Sequence, residues 1–181
     1  MNISDTIYDG WETYQEGYST TFRVLLHVRA ASSLGHTYLS ELQPQKTNVG
    51  KGTFSMGKYE FTSSDPRYKI NQGDSIVVHD VQYNHGLFAH APSRLSYNLY
   101  GDFVQLITTI GLVDWIDCGD GVQFIVLLDG KEIYRSPTMR SSSIPLKIEV
   151  SVAGGRNLEL IVDPLANPDC DWAIWCDPSL R

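Results

Sequence analysis

Two segments of this 181-residue sequence, both interpreted as loops, carry the side chains best suited to bind a ligand. The first, at 110–121, places Asp114, Asp117 and Asp120 at intervals of three residues. The second, at 167–178, uses the same residue types and contains Asp169, Cys170, Asp171, Trp172, Trp175, Cys176 and Asp177. Because both segments combine carboxylates, tryptophans and cysteines, we expect them to form two walls of one site.

The carboxylates of these segments suit calcium, which takes about six to eight oxygen ligands in flexible geometry. The spacing differs from that of an EF-hand loop. We expect Asp117, Asp120 and Asp169 to hold calcium together with backbone carbonyls. Two alternatives remain open: the acids cap turns and face water, or two of them form the catalytic pair of a glycosidase, about 5–10 Å apart across a cleft.

The tryptophans of the two segments are candidates for sugar binding. Trp115, Trp172 and Trp175 each offer a flat ring with one N–H donor, and a sugar presents an apolar C–H face to such a ring. The alternative is that they plug the end of a hydrophobic core. His90 follows an apolar run and precedes Ala-Pro-Ser, so it is a further candidate, although a lone histidine is often a structural residue.

Composition excludes several classes of function. A net charge of −7 argues against nucleic-acid binding, which needs a basic surface. No apolar run of about 18 residues predicts a membrane span. We find none of the common motifs for nucleophilic, zinc-dependent or nucleotide-dependent catalysis. The first residues lack the basic and apolar regions of a signal peptide, so we expect either a cytoplasmic chain or a piece of a larger secreted protein.

The three cysteines, Cys118, Cys170 and Cys176, allow two interpretations. They are three unpaired thiols, or Cys118 forms a disulfide with Cys170 or Cys176 and ties the two segments together. A disulfide would indicate an oxidising compartment.

The elements that must position these residues are strands. Alternating side chains predict strands at 22–29, 95–99, 146–152 and 158–162, and a nearly continuous apolar run predicts another at 122–128. The segments 76–83, which is rich in valine, and 103–110 are also predicted to be strands. Asp129-Gly130 predicts a hairpin with a type I′ turn. The sequence therefore predicts an all-β, antiparallel β-sandwich of the jelly-roll type, with residues 1–35 as an N-terminal arm or added edge strand.

Five segments in consistent order resemble the NPCBM group of carbohydrate-binding modules, which includes carbohydrate-binding module family 51. They are Tyr38–Leu42, Gly86–Ser93 followed by Tyr97–Leu99, Ile110–Asp114, Val122–Ser136 with its Asp129-Gly130-Lys131, and Asp171–Pro178. The resemblance covers residues 36–181. Trp172 and Ile174 differ from the family pattern in the last segment, and Trp115 replaces an acid in the third.

The resemblance implies a galactose-binding-domain-like β-sandwich that binds galactose-type terminal sugars, often with a structural calcium. We therefore expect a non-catalytic carbohydrate-binding module or lectin, with His90, Asp114, Asp171, Trp172 and Trp175 contacting a glycan. The alternatives are a structural or protein-interaction β-sandwich and, third, a small glycoside hydrolase.

Overall fold

The computed structural model describes residues 35–66, 69–114 and 118–181. The arm predicted over 1–35, with its strand at 22–29, lies outside the described residues apart from Gly35. Trp115 and Asp117 also lie outside them. Within the described residues, the regular elements are strands and one short 3-10 turn, Leu39–Glu41, and no helix is long and apolar enough to cross a membrane.

Two antiparallel sheets account for most of the strands. The strands of the first sheet are β1 (Thr37–Tyr38), β3 (Ser55–Met56), β6 (Leu87–His90), β8 (Gln105–Leu112), β11 (Leu146–Ser151) and β13 (Trp172–Leu180). Their order is β11-β8-β13-β6-β3, and β1 also pairs with β13. The strands of the second sheet are β2 (Lys46–Val49), β7 (Ser93–Asn98), β9 (Gln123–Leu128), β10 (Lys131–Arg135) and β12 (Asn157–Asp163). Their order is β10-β9-β12-β7-β2.

The main core lies between these sheets, because each contributes alternate side chains to one continuous buried cluster. Its largest fully buried members include Trp175, Tyr97, Phe124, Leu106, Ile110 and Leu158. The predicted β-sandwich is therefore confirmed, and so is the apolar–polar alternation that predicted it.

The Asp129-Gly130 hairpin is also confirmed. These two residues join β9 to β10, and both have positive φ, 51° and 79°. A type I′ turn requires that conformation at both positions, which explains the residue types found there.

The interpretation of Ile76–Tyr83 as one strand is wrong. The segment is a hairpin of β4 (Ile76–Val78) and β5 (Val81–Tyr83), which pair with each other. His79 and Asp80 form the turn, with φ values of 48° and 60°. The apolar residues on both sides concealed the turn, because neither His nor Asp is as strong a signal as glycine.

The interpretation of 167–178 as a loop is wrong over its second half. Trp172–Leu180 is a nine-residue strand in the interior of the first sheet, between β8 and β6. Pro178 lies where the pairing of β13 with β8 shifts register, between Cys176 and Ser179. A bulge at this point takes the proline, which has no N–H to donate, out of the regular ladder.

A second hydrophobic cluster covers the other face of the first sheet. Successive residues of a strand point to opposite faces, so Phe88, Ile174 and Cys176 point away from the main core that Leu87, Ala89 and Trp175 enter. We call this second group the outer cluster; its buried members are Tyr59, Ile70, Ile76, Val78, Phe88, Val113, Ile174 and Cys176. The hairpin β4–β5 and the segment before it therefore form a cover on the sheet.

Candidate functional site

His90 and Trp172 are cross-strand partners on the outer face of the first sheet. They are directly opposite in the register of β6 and β13, and their ring centroids are 5.6 Å apart, edge to face. His90 ends β6 and Trp172 begins β13, so both side chains lie at the margin of the outer cluster. Strand pairing thus brings together two residues that are more than eighty positions apart in the sequence.

The ring of Trp172 forms one surface with the rings of Phe88 and Phe61. Phe88 packs 5.4 Å from Trp172, and Phe61, from the covering segment, lies 5.2 Å from Phe88 and 5.6 Å from Trp172. Their planes are tilted by 37–39° from one another. Phe88 is buried, whereas Phe61 and Trp172 are half-buried and reach the surface.

A cavity of about 670 Å³ opens above these rings. This volume is within the range of about 300–1,000 Å³ typical of small-molecule sites. The aromatic rings, His90 and the Cys118–Cys170 pair line one part of it, and an exposed polar rim lines the rest. The polar residues along the rim include Lys51, Thr53, Thr62, Ser63, Asn167 and Asp169.

His90 lines this cavity, and the contact of one ring nitrogen with the backbone fixes its tautomer. Its side chain is 3% exposed, and Nδ1 lies 2.6 Å from the carbonyl oxygen of Ala91. A carbonyl oxygen only accepts, so Nδ1 carries the proton and Nε2 of the neutral ring is an acceptor. Burial lowers the pKa of His90, an effect that the Ala91 carbonyl and Asp169 oppose and that the charge of Lys51 reinforces.

Cys118 and Cys170 form a disulfide, with Cα atoms 5.6 Å apart, and both residues line the cavity. The sequence left open whether Cys118 pairs with Cys170 or with Cys176. The structure pairs it with Cys170, so the disulfide joins the two predicted walls at the cavity. Cys176 is a free thiol, buried in the outer cluster, and burial raises its pKa.

Asp120 adds a second link between the same loops. Its Oδ2 accepts a hydrogen bond from the N–H of Ala166, and its Oδ1 accepts one from the N–H of Asn167, both at 3.1 Å. The bond from Ala166 is the main reason that the pKa of Asp120 is lowered. The prediction that the two segments meet is therefore confirmed by both the disulfide and this carboxylate.

Asp171 is buried beneath the cavity. It is 1% exposed, and its Oδ2 has no hydrogen-bond partner among the described residues. It lines a separate, small polar cavity next to Gly119 and Arg140. Loss of hydration, with the nearby charges of Asp120 and Asp169, raises the pKa of Asp171 to about 7.

Trp175 is not part of the candidate site. Its side chain is 0% exposed and packs edge to face against Phe124 of the second sheet, with ring centroids 5.0 Å apart. It points into the main core because it lies three positions after Trp172 in the same strand, and an odd offset places two side chains on opposite faces of the sheet. The predicted stacking role of Trp175 is therefore corrected to that of a core residue.

Asp114 also lies away from the cavity lining. Its Oδ2 accepts a hydrogen bond of 2.6 Å from the N–H of His79, and Oδ1 is 3.5 Å from His79 Nε2. The carboxylate thus holds the turn of the β4–β5 hairpin against the end of β8. The sugar contact predicted for Asp114 is not supported by this position.

The predicted calcium ligands do not form a donor set within the described ranges. No group of three His, Cys, Asp or Glu side chains there could hold a metal ion. Both carboxylate oxygens of Asp120 accept hydrogen bonds from backbone N–H groups, and Asp169 lies on the exposed rim of the cavity. Asp117 lies outside the described residues, so calcium binding stays a prediction.

Sequence reasoning missed the part of the cavity formed by 51–53 and 61–65. No residue of either segment was named as a candidate, yet the two supply Lys51, Thr53, Phe61 and Ser63. The available signal was Phe61, an aromatic residue in a run of small polar residues and acids, where no core periodicity requires it.

Comparison with known proteins places this geometry in a family. The sequence profile of the NPCBM/NEW2 domain matches residues 35–181. A Renibacterium salmoninarum protein, named as a candidate endo-alpha-N-acetylgalactosaminidase, is 26% identical over 142 residues, which are 78% of this chain and 9% of that protein. The chain thus spans about a tenth of the length of this relative.

Two solved Clostridium perfringens structures share the fold. A CBM51 domain from GH95, in complex with methyl-galactose, has a TM-score of 0.67 and 22% identity over 81% of this chain and 100% of that one. The CBM51-2 domain of ZmpB, in a structure with GlcNAc and INT domains, has a TM-score of 0.68 and 22% identity over 81% of this chain and 31% of that one. The family match spans all the described strands and the whole cavity, and the chain belongs to the NPCBM/NEW2 domain family.

Proposed function

We propose that this domain binds carbohydrate without catalysing a reaction and that its ligand is a terminal sugar of the galactose type. The observation that carries the proposal is the cavity, which combines an aromatic surface at Phe61, Phe88 and Trp172 with polar groups along its rim. A pyranose has the same two characters, because its C–H face is apolar and its hydroxyls form hydrogen bonds in the plane of the ring.

The polar groups of the cavity match the hydroxyls of a sugar. His90 Nε2 accepts from a hydroxyl, because Nδ1 is the protonated nitrogen. Asp169 accepts, Lys51 donates, and Asn167 does both. Most of these groups are exposed, so the expected affinity is that of a shallow site, millimolar to micromolar, or about 4 to 8 kcal/mol.

Galactose-type specificity is supported by two relatives. The Clostridium perfringens GH95 domain binds methyl-galactose, and the Renibacterium salmoninarum protein is named for hydrolysis at α-linked N-acetylgalactosamine. The ZmpB domain with GlcNAc widens the set of sugars to test. We therefore place galactose and N-acetylgalactosamine first and N-acetylglucosamine next.

The positions of Asp114 and Asp171 favour binding over hydrolysis. A glycosidase needs two carboxyl groups on either side of the scissile bond. Asp114 accepts a hydrogen bond from the His79 N–H, and Asp171 is buried below the cavity. These two acids, which the sequence offered as candidates for a catalytic pair, therefore do not both face the cavity. The domain would then act by holding a glycan near another activity.

Calorimetric titration with methyl-galactoside, N-acetylgalactosamine, N-acetylglucosamine, glucose and mannose tests the proposal. We expect saturable binding of at least one galactose-type sugar, and a large loss of affinity on Trp172→Ala. No measurable heat with any of the five sugars, for a protein whose circular dichroism shows it to be folded, would reject it in favour of a structural sandwich.

We also propose that the domain operates outside the cytoplasm, as part of a larger secreted or cell-surface enzyme. The Cys118–Cys170 disulfide fits an oxidising compartment, and the candidate hydrolase relative is many times longer than this chain. The test is labelling of free thiols in denatured protein from its native source, with the labelled positions identified by peptide mass spectrometry. Of the three cysteines, Cys176 alone should be labelled, whereas labelling of Cys118 and Cys170 as well would contradict the proposal.

A further inference from the structure

We propose that Cys118, Cys170 and Asp120 are positioning residues for the sugar site, so that the oxidation state of the cysteine pair sets the affinity for sugar. This inference rests on the proposed function. It concerns one wall of the cavity, formed by residues 118–121 and 166–170, which we call the linked loops.

The linked loops have little else to hold them. Residues 165–169 are exposed and belong to no strand, so burial of apolar side chains does not fix their conformation. They nevertheless supply Asn167, Asp169 and Cys170 to the cavity. A wall made of exposed loop must be ordered by specific links, because otherwise the ligand pays the entropy of ordering it.

Two links of different chemistry provide that order. The disulfide joins Cys118 to Cys170 at one end of the wall, and the Asp120 carboxylate receives the Ala166 and Asn167 N–H groups at the other. Gly119 lies between them, against the Asp169 carbonyl oxygen, where a Cβ atom would collide. Within the wall, the N–H of Asp169 donates to Asn167 Oδ1 at 3.0 Å.

The disulfide is the link that a cell or a reagent can open. A dithiol such as dithiothreitol gives two electrons and two protons to the Cys118–Cys170 bond, forming two thiols, and is itself oxidised to a cyclic disulfide. The strands that carry the loops remain paired, because β8, β9, β12 and β13 are held by their own ladders. Reduction should therefore make the linked loops more mobile while the β-sandwich stays folded.

Affinity for methyl-galactoside, or for the sugar that binds best in the titration above, is measured well below the melting temperature for oxidised and reduced protein. We expect reduction to weaken binding by about tenfold, the effect of about 1.4 kcal/mol of added ordering cost. Cys118→Ser with Cys170→Ser should bind as weakly as reduced protein and ignore dithiothreitol. Cys176→Ser is the matched control and should behave as the unaltered protein in both states.

The Asp120 link is tested separately. Asp120→Ala should lower affinity in the oxidised protein, and Asp120→Asn, which keeps one acceptor oxygen, should lower it less. Hydrogen exchange at the Ala166 and Asn167 amides should accelerate in both variants and in reduced protein, whereas amides of β12 should not change. Hydrogen exchange reports on the order of the linked loops even if no sugar binds. Failure of the proposed function and failure of this inference are therefore distinguishable.

Two results would overturn the inference. One is equal affinity and equal exchange at Ala166 and Asn167 in the oxidised and reduced forms. The other is a loss of affinity on treatment of oxidised protein with EDTA that matches the loss on reduction, because a metal ion would then hold the loops.

Discussion

Trp172 and Trp175 lie three residues apart on β13, and their side chains leave opposite faces of the same sheet. Trp172 contacts Phe61, Phe88 and His90 at the cavity, whereas Trp175 contacts Phe124 in the main core. One strand thus places one tryptophan ring at the cavity and the other in the main core.

Alanine substitution of each tryptophan should separate these roles. Trp175→Ala removes a fully buried ring and should lower the free energy of unfolding by about 3–5 kcal/mol. Trp172→Ala should cost far less stability, because that ring is half-buried, but should abolish measurable sugar binding. Denaturant unfolding and calorimetric titration of both variants check this. Severe unfolding by Trp172→Ala would instead favour the structural-sandwich alternative.

Sugar affinity should fall in acid because of His90. Protonation of Nε2 converts the acceptor into a donor, and burial lowers the pKa of His90 below its ordinary value. Binding should therefore persist under mildly acidic conditions and weaken only as the pH falls through that lowered pKa. Affinity titrated from about pH 8 to about pH 4 tests this. His90→Gln, which does not titrate, should bind with a flatter profile, and His36→Gln, at an exposed position away from the cavity, should keep the original one.

Stability should fall with rising pH through the titration of Asp171. An unfolded aspartate has a pKa near 3.8, and that of folded Asp171 is raised to about 7, so the folded state binds the extra proton between these values. The contribution of this carboxyl to stability therefore falls as the pH rises from about 3.8 to about 7 and levels off above that, where the buried group is charged in the folded state. Asp171→Asn should melt higher than the unaltered protein at about pH 8 and close to it at about pH 4. Parallel melting profiles for the two proteins would contradict this assignment.

Asp114 should matter for stability more than for affinity. Its carboxylate accepts the His79 N–H, a charge-assisted bond that contributes about 1.5–3 kcal/mol. Asp114→Ala should lower the free energy of unfolding by a similar amount and accelerate amide exchange in β4 and β5. Asp80→Asn, on the same turn, is the control and should be nearly neutral, because asparagine tolerates the positive φ found there. A selective loss of sugar binding in Asp114→Ala would restore the role that the sequence suggested.

The sandwich was predictable because its strands obey simple rules. Leu158, Leu160 and Val162 alternate with Glu159 and Ile161, and Asp129-Gly130 marks a turn whose geometry those residues favour. Such signals are local, so they can be read without knowledge of the neighbours in space.

Trp175 was predicted to contact a glycan but lies in the main core, which shows the limit of predictions from local sequence patterns. The segment Asp171–Pro178 has acids, aromatics and a proline, which are typical of a loop, but pairing with β8 and β6 makes it a central strand. Once the strand is known, alternation assigns Trp172 and Trp175 to opposite faces. Tertiary pairing therefore overrides composition at this point.

The partner of Cys118 and the part played by Phe61 were unpredictable for a different reason. Both depend on which loops meet over the outer face of the first sheet, and spacing in the sequence has no bearing on that. His90 and Trp172 could be named as candidates, but their pairing across β6 and β13 required the register.

The separation of the outer cluster from the main core has a consequence for divergence within the family. Substitutions in Phe61, Trp172 or the linked loops share no ring contact with Trp175 or Phe124, so their effects on stability should add to those of core substitutions. The residues that line the cavity can therefore change within the family without a compensating change in the main core.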